Sequence, residues 1–171
     1  FTPQDLQRLL ACLKTANANI AVDTSGAALA AAVACSPLLI KPNSEELQQS
    51  FGMPAETTAE QAIAIANLPQ PVENVVLSMG ENGVNWWRQG RCLHATAARV
   101  QVKSTVGAGD TLLAGMLHGL ACGHSPEETL QTAAALAAHA VSQIGFGIPD
   151  TERLSALKQD ISIQIEKDFA S

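Results

Sequence analysis

The chain is short of several things, and each shortage removes a class of function. Charged residues are only 15% of its 171 residues, too few for a disordered tail or a coiled coil. Lys and Arg number 10 against 16 Asp and Glu, a net charge of −6. A basic face that could displace counterions from a nucleic acid is therefore not expected. No apolar run reaches 18 residues, so no segment reads as a membrane-spanning helix. Four cysteines, at 12, 35, 92 and 122, make no CxxC pair. Together with His94, His118, His124 and His139 they show no zinc-ligand spacing, and they read as thiols of a reducing cytoplasm. The opening FTPQDLQRLL has neither a basic flank nor a long apolar run, so it reads as a helix and not a leader. Because it begins with Phe1, the expectation is a portion of a longer protein. No internal repeat, low-complexity stretch or linker breaks the chain, which reads as one α/β domain over 1–171.

What is present is an alternation of short apolar runs and alanine-rich helices. Thr2 caps a helix with Pro3 in its first turn and Leu6, Leu9, Leu10 and Leu13 on one face. Strands are expected at 18–23, 38–41 and 74–78, and a hairpin around Gln89-Gly90. Helices are expected at 26–35, at 43–51 with Asn43 and Glu46 as a capping box, and over TTAEQAIAIANL. Further helices are expected at 109–122, at 125–144 with Ser125 as cap, and at 151–166 with Asp150 as cap. Strands alternating with helices predict a layered α/β fold with a mainly parallel sheet, whose ligands sit beyond the carboxyl ends of the strands. Polar groups gather at those ends: Asp23-Thr24-Ser25, Lys41-Pro42-Asn43 and Ser78-Met79-Gly80. In the hairpin, strand alternation places one of Trp86 and Trp87 in the core and the other outside. His118 and His139, on alanine-rich helices, read as packing residues.

The decisive stretch is STVGAGDT, residues 104–111. Gly107 and Gly109 let backbone approach a ligand closely and tolerate positive φ. The amides of residues 107–110 are the unpaired donors of a helix start, where the dipole adds about half a positive charge. Gly107, Ala108 and Gly109 thus form an anion hole of phosphate size. A carboxylate there, Asp110, has two readings, a helix cap or a general base for a hydroxyl that attacks phosphorus. A Walker A loop is excluded, since no Gly-Lys-Ser/Thr follows, and so is a dinucleotide fingerprint, since position 112 is Leu112.

Three stretches occur together in order: KPNSEEL, SMGENG and STVGAGDTLLAG. In this set the chain resembles the PfkB (ribokinase-like) carbohydrate kinases from about Asp23 to Asp150. The resemblance implies a three-layer α/β/α ribokinase-like fold, present here as its C-terminal part, without the portion that supplies most sugar contacts and a dimerising lid. It implies ATP and Mg²⁺ as cofactors and a cytoplasmic kinase, a homodimer at full length. Asp110 becomes the catalytic base, and Asn43 and Glu46 organise Mg²⁺ and phosphates through water. Lys41 counters phosphate charge. Ser78, Gly80, Gly83, Ser104 and Thr105 flank the nucleotide. The segment 140–147, with Ser142 and Gly147, borders adenine and ribose. Asp23 faces the sugar. VDTSG and LIKPN resemble the 1-phosphofructokinase branch, whose acceptor is fructose 1-phosphate. Tagatose-6-phosphate kinases and the minor 6-phosphofructokinases are the neighbouring alternatives. A non-catalytic nucleotide-binding fragment, and an unrelated α/β protein in which Asp110 is a plain cap, are the competing readings.

Overall fold

A computed structural model describes residues 2–145 and 147–166. The chain packs as two compact units, one holding residues up to Ser78 together with Trp87–Gly90, the other Met79–Trp86 and Arg91 onward.

The first unit begins with helix α1, Pro3–Thr15, closed by a capping box between Thr2 and Asp5. Strand β1 (Ala21–Val22) leads to α2 (Gly26–Val33) and β2 (Leu39–Ile40). Then follow α3 (Ser44–Phe51), α4 (Thr58–Ala66) and β3 (Asn74–Ser78). The three strands are parallel, with Ala21 opposite Leu39 and Leu39 opposite Asn74. Their apolar runs are buried, as expected of parallel strands covered by helices: Leu39, Ile40, Val75, Val76 and Leu77 are inaccessible to solvent. Leu29, Val33 and Leu47 from α2 and α3 complete this core.

The second unit contains a short 3₁₀ turn (Gly80–Asn82) and most of strand β4 (Val84–Arg88). Strand β5 (Arg91–Ala95) follows the two-residue turn Gln89–Gly90. Both turn residues have positive φ, 50° and 75°, the backbone that a tight hairpin demands. Helix α5 (Ala108–Cys122), α6 (Pro126–Val141), α7 (Thr151–Asp160) and strand β6 (Ile163–Glu166) complete the chain. Helix α6 packs on α5 and α7, and its core side chains are Leu130, Ala133 and Ala135 against Leu112 and Met116. Cys12 and Cys122 are exposed, Cys35 is half-buried and Cys92 buried, all as free thiols. None of the helices among the described residues is long and apolar enough to cross a membrane.

Four expectations change. The final helix stops at Asp160, and residues 163–166 pair antiparallel with β5, Ile163 opposite Ala95 and Ile165 opposite Leu93. Ile161, Ile163 and Ile165 alternate with polar residues, a period of two that a helix does not accommodate. Helix α6 ends at Val141, where the Ser142 amide closes on Ala138 and His139. Trp86 and Trp87 are both buried, at 0% and 5% exposure. Each falls in a different unit, and the Trp87 indole N–H donates to Gln61 on α4 at 3.2 Å. His118 is solvent-exposed beside Cys122 and His124, not a packing residue.

Candidate active site

In the first unit, three predicted site segments leave the same edge of the parallel sheet, because each follows a strand running the same way. Asp23 follows β1, Lys41 and Asn43 follow β2, and Ser78 ends β3. The Lys41 amide is held by the Val22 carbonyl at 3.1 Å, and Asn43 bridges to Ser78. The Lys41 ammonium lies 3.1 Å from the Asp23 carboxylate, with 7% and 28% of the two side chains exposed. A buried cation needs such a partner, since desolvation otherwise costs several kcal/mol. Two residues assigned separately to phosphate and sugar are therefore an ion pair.

Asn43 and Glu46 form the capping box in full. Asn43 Oδ1 accepts the Glu46 amide at 2.8 Å, and Glu46 Oε2 accepts the Asn43 amide at 2.9 Å. One Glu46 carboxylate oxygen has no hydrogen bond among the described residues. No group of three metal-ligating side chains stands together among those residues. The pair fits an ion held through water and does not fit a closed protein cage.

The second unit holds the glycine loop. Gly107 is the N-cap of α5 with φ 81°, left-handed, and no side chain caps this helix. The expected start at 109 thus moves to Ala108, and Gly109 lies inside the first turn without positive φ. Its place in the helical ladder fixes it in right-handed backbone. The Ala108 amide makes a long bond, 3.4 Å, to the Thr105 carbonyl. The amides of Gly107, Gly109 and Asp110 have no partner among the described residues. Asp110 is the third residue of the helix, exposed and in its first turn, and its carboxylate accepts no hydrogen bond there. It is not the cap. Thr111 turns inward and donates its hydroxyl to the Gly107 carbonyl at 2.7 Å.

The approach to this turn is ordered by its own backbone. Ser104 Oγ accepts the Val106 amide at 3.2 Å, and the Lys103 and Ser104 amides donate to the Val141 carbonyl at 2.8 and 3.3 Å. Ser142 donates its hydroxyl to the His139 carbonyl at 2.8 Å. Thr105 and Gly147 are exposed, the latter accepting from Gln143 Nε2 at 3.3 Å. Phe146, inside the segment expected to border adenine, lies outside the described residues. Gly80 and Gly83 flank the 3₁₀ turn, both with positive φ. Gly83 is buried against the backbone of Ala95 and Ala97, where a Cβ would collide, so the fold itself requires glycine there.

Sequence reasoning missed the Asp23–Lys41 pair and the glycines at 115 and 119. Gly115 and Gly119 recur four residues apart on a helix, a spacing that marks close helix packing and was available as a signal.

Comparison with known proteins places this geometry. Residues 2–153 match the pfkB family carbohydrate kinase profile. The chain is 42% identical over 164 residues to 1-phosphofructokinase of Vibrio cholerae, covering 95% of this chain and 52% of the relative. Phosphofructokinase-2 from Escherichia coli, solved in complex with substrates and products, superposes with a TM-score of 0.83 at 25% identity, over 93% of this chain and 52% of that one. Ribokinase from Arabidopsis thaliana, complexed with ribose and ATP, gives a TM-score of 0.76 at 26% identity, over 92% and 53%. The chain spans about half the length of the relatives it matches. Its fold is ribokinase-like α/β with a mixed, mostly parallel sheet. Three ordered motifs, a glycine-led helix start and these alignments converge, and the chain belongs to the pfkB family of carbohydrate kinases.

Proposed function

We propose that this chain carries the nucleotide and catalytic-base half of an ATP-dependent kinase acting on a hexose phosphate, with fructose 1-phosphate as the acceptor and fructose 1,6-bisphosphate as the product. The observation that carries the reading is the open start of α5: three backbone amides without partners beside an exposed, unbonded Asp110. The relative from Vibrio cholerae, named 1-phosphofructokinase, supports the choice of acceptor.

In this reading Asp110 accepts the proton of the sugar hydroxyl as its oxygen bonds to the γ-phosphorus. The bond from that phosphorus to the bridging oxygen breaks, and ADP leaves with the electron pair. The Gly107, Gly109 and Asp110 amides hold the transferring phosphoryl oxygens, where charge accumulates. Lys41, paired with Asp23, contributes positive field at the strand ends of its unit. Asn43 and Glu46 are the residues that would hold Mg²⁺, through water, and the ion would supply charge neutralisation for the polyphosphate. Ser104, Thr105 and Ser142 border the nucleotide.

A coupled ADP-release assay with fructose 1-phosphate, fructose 6-phosphate and tagatose 6-phosphate tests this. ADP release dependent on one of these sugars supports the reading and names the acceptor. ATP binding with no sugar-dependent ADP release would overturn it in favour of nucleotide binding without transfer.

A further inference from the structure

Helix α5 presents Asp110 and the anion-binding amides at its start, and two glycines further along it are pressed against α6. A Cβ on Gly115 would stand 2.7 Å from the Ala133 Cα. A Cβ on Gly119 would stand 2.5, 2.6 and 2.9 Å from Oγ1, Cγ2 and Cβ of Thr129. Gly115, Gly119, Thr129 and Ala133 are all buried. Moving four residues forward on α5 moves the contact four residues back on α6, so the helices are antiparallel in fixed register. Continued to the helix ends, that register sets Gly107 level with Val141. Val141 is the residue whose carbonyl holds the Lys103 and Ser104 amides of the approach segment. One helix thus fixes both the axial position of α5 and the loop that leads into it.

The same register places the negative end of α6 beside the positive start of α5. Three of the last four carbonyls at that end are occupied. Ala138 and His139 accept the Ser142 amide, His139 also accepts its hydroxyl, and Val141 accepts two loop amides. They do not reach for the α5 amides, which stay open to an anion.

We infer that Gly119, seated on Thr129, is a positioning residue for phosphoryl transfer: it sets where along its axis α5 presents the Gly107–Asp110 amides. The inference rests on the reading of the α5 start as the phosphate site. Gly119 lies nine residues past Asp110, roughly 13 Å along the helix at 1.5 Å per residue, so no substitution there touches the ligand directly. Small displacements suffice, because hydrogen bonds to phosphate weaken within a few tenths of an ångström beyond about 3 Å.

The test compares ATP with AMP by titration calorimetry on the whole chain, since preference for ATP reports the outer phosphates on the amides. Gly119→Ala is expected to lower that preference at least tenfold while AMP affinity holds. All three clashing atoms belong to the Thr129 side chain, so Gly119→Ala/Thr129→Gly is expected to restore it. A second route avoids the helix interior. Lys103→Pro removes the 2.8 Å amide bond to Val141 and is expected to lower the preference likewise, with Lys103→Ala as the control for charge. Gly119→Ala that melts lower yet keeps the full preference overturns the inference and leaves a packing role alone. Lys103→Pro with an unchanged preference overturns the role of α6 as anchor. A parent protein that shows no preference for ATP over AMP overturns the phosphate-site reading, and this inference with it.

Discussion

Two helix starts in this molecule are built in opposite ways. Helix α3 begins at Asn43 with a complete capping box and two acidic residues, Glu45 and Glu46, in its first turn. Helix α5 begins at a left-handed glycine with no side-chain cap. The first pairs the Asn43 and Glu46 amides with its own side chains and sets negative charge against its dipole. The second leaves donors and dipole to something else. A capped start contributes stability, typically about 1 kcal/mol. An uncapped one forgoes it, and the glycine at φ 81° permits a close approach that a side chain would block. The lesson is that the two starts differ in what they leave open: unbonded amides at α5, and a single carboxylate oxygen at α3. Asn43 and Glu46 are already partnered to one another, which leaves one Glu46 carboxylate oxygen without a hydrogen bond among the described residues.

The contrast can be broken most forcefully at Asp110. Asp110→Asn keeps the shape and removes the proton acceptor, so kcat is expected to fall by about 10²–10⁴, with ATP affinity equal or slightly higher. The melting temperature is expected to stay within a few degrees, since the carboxylate makes no hydrogen bond among the described residues. Turnover near that of the parent protein would return Asp110 to a mere dipole partner.

Next in size is the buried ion pair on the capped side. Lys41→Met leaves Asp23 without its cation and is expected to cost about 1–3 kcal/mol in urea denaturation. The residual exposure of Asp23, 28%, keeps the loss below that of a fully buried charge. Adding Asp23→Asn is expected to recover part of it. Additive losses in the two variants would mean that the pair is not coupled.

Glu46→Gln sharpens the comparison further. Glutamine serves a capping box nearly as well as glutamate, so stability is expected to hold. The Mg²⁺ concentration for half-maximal rate is expected to rise several-fold, because a cation held through water still needs the charge. An unmoved Mg²⁺ dependence would confine Glu46 to capping.

The smallest effect concerns two more capped helices. Amides and hydroxyls of Thr2 and Thr57 hold the carboxyls of Asp5 and Glu60 below their ordinary range. A carboxylate with a lowered folded-state pKa stabilises the fold above its unfolded value, and the gain is lost as pH falls through the folded value. Acid titration followed by circular dichroism should therefore show α1 and α4 fraying on the acid side of the ordinary carboxylate range. Asp5→Asn with Glu60→Gln should remove that step, and its persistence would place the acid sensitivity elsewhere.

Much of this was legible in the sequence because it is local chemistry. Thr2, Asn43, Ser125 and Asp150 all cap their helices as their spacing predicts. Gln89-Gly90 turns the chain, and the glycine turn announces itself. Features made by distant contacts were not legible. The strand after Asp160 exists because β5 is there to receive it. The joint burial of Trp86 and Trp87 depends on α4 supplying Gln61 to one of them. Alternation on a single strand says that its two faces differ, and only tertiary packing says how many are covered. The ion pair of Asp23 with Lys41 likewise needs two strands side by side.

The thiols carry one more consequence. Cys12 is exposed on α1 and Cys122 is exposed at the end of α5, one in each compact unit, while Cys92 is buried and Cys35 half-buried. Reactivity toward a maleimide follows thiolate access, so brief labelling at neutral pH attaches dyes to positions 12 and 122 first. The protein comes with its own pair of spectroscopic handles. Energy transfer between them would report whether the separation of these two positions changes when ATP is added, with no residue substituted.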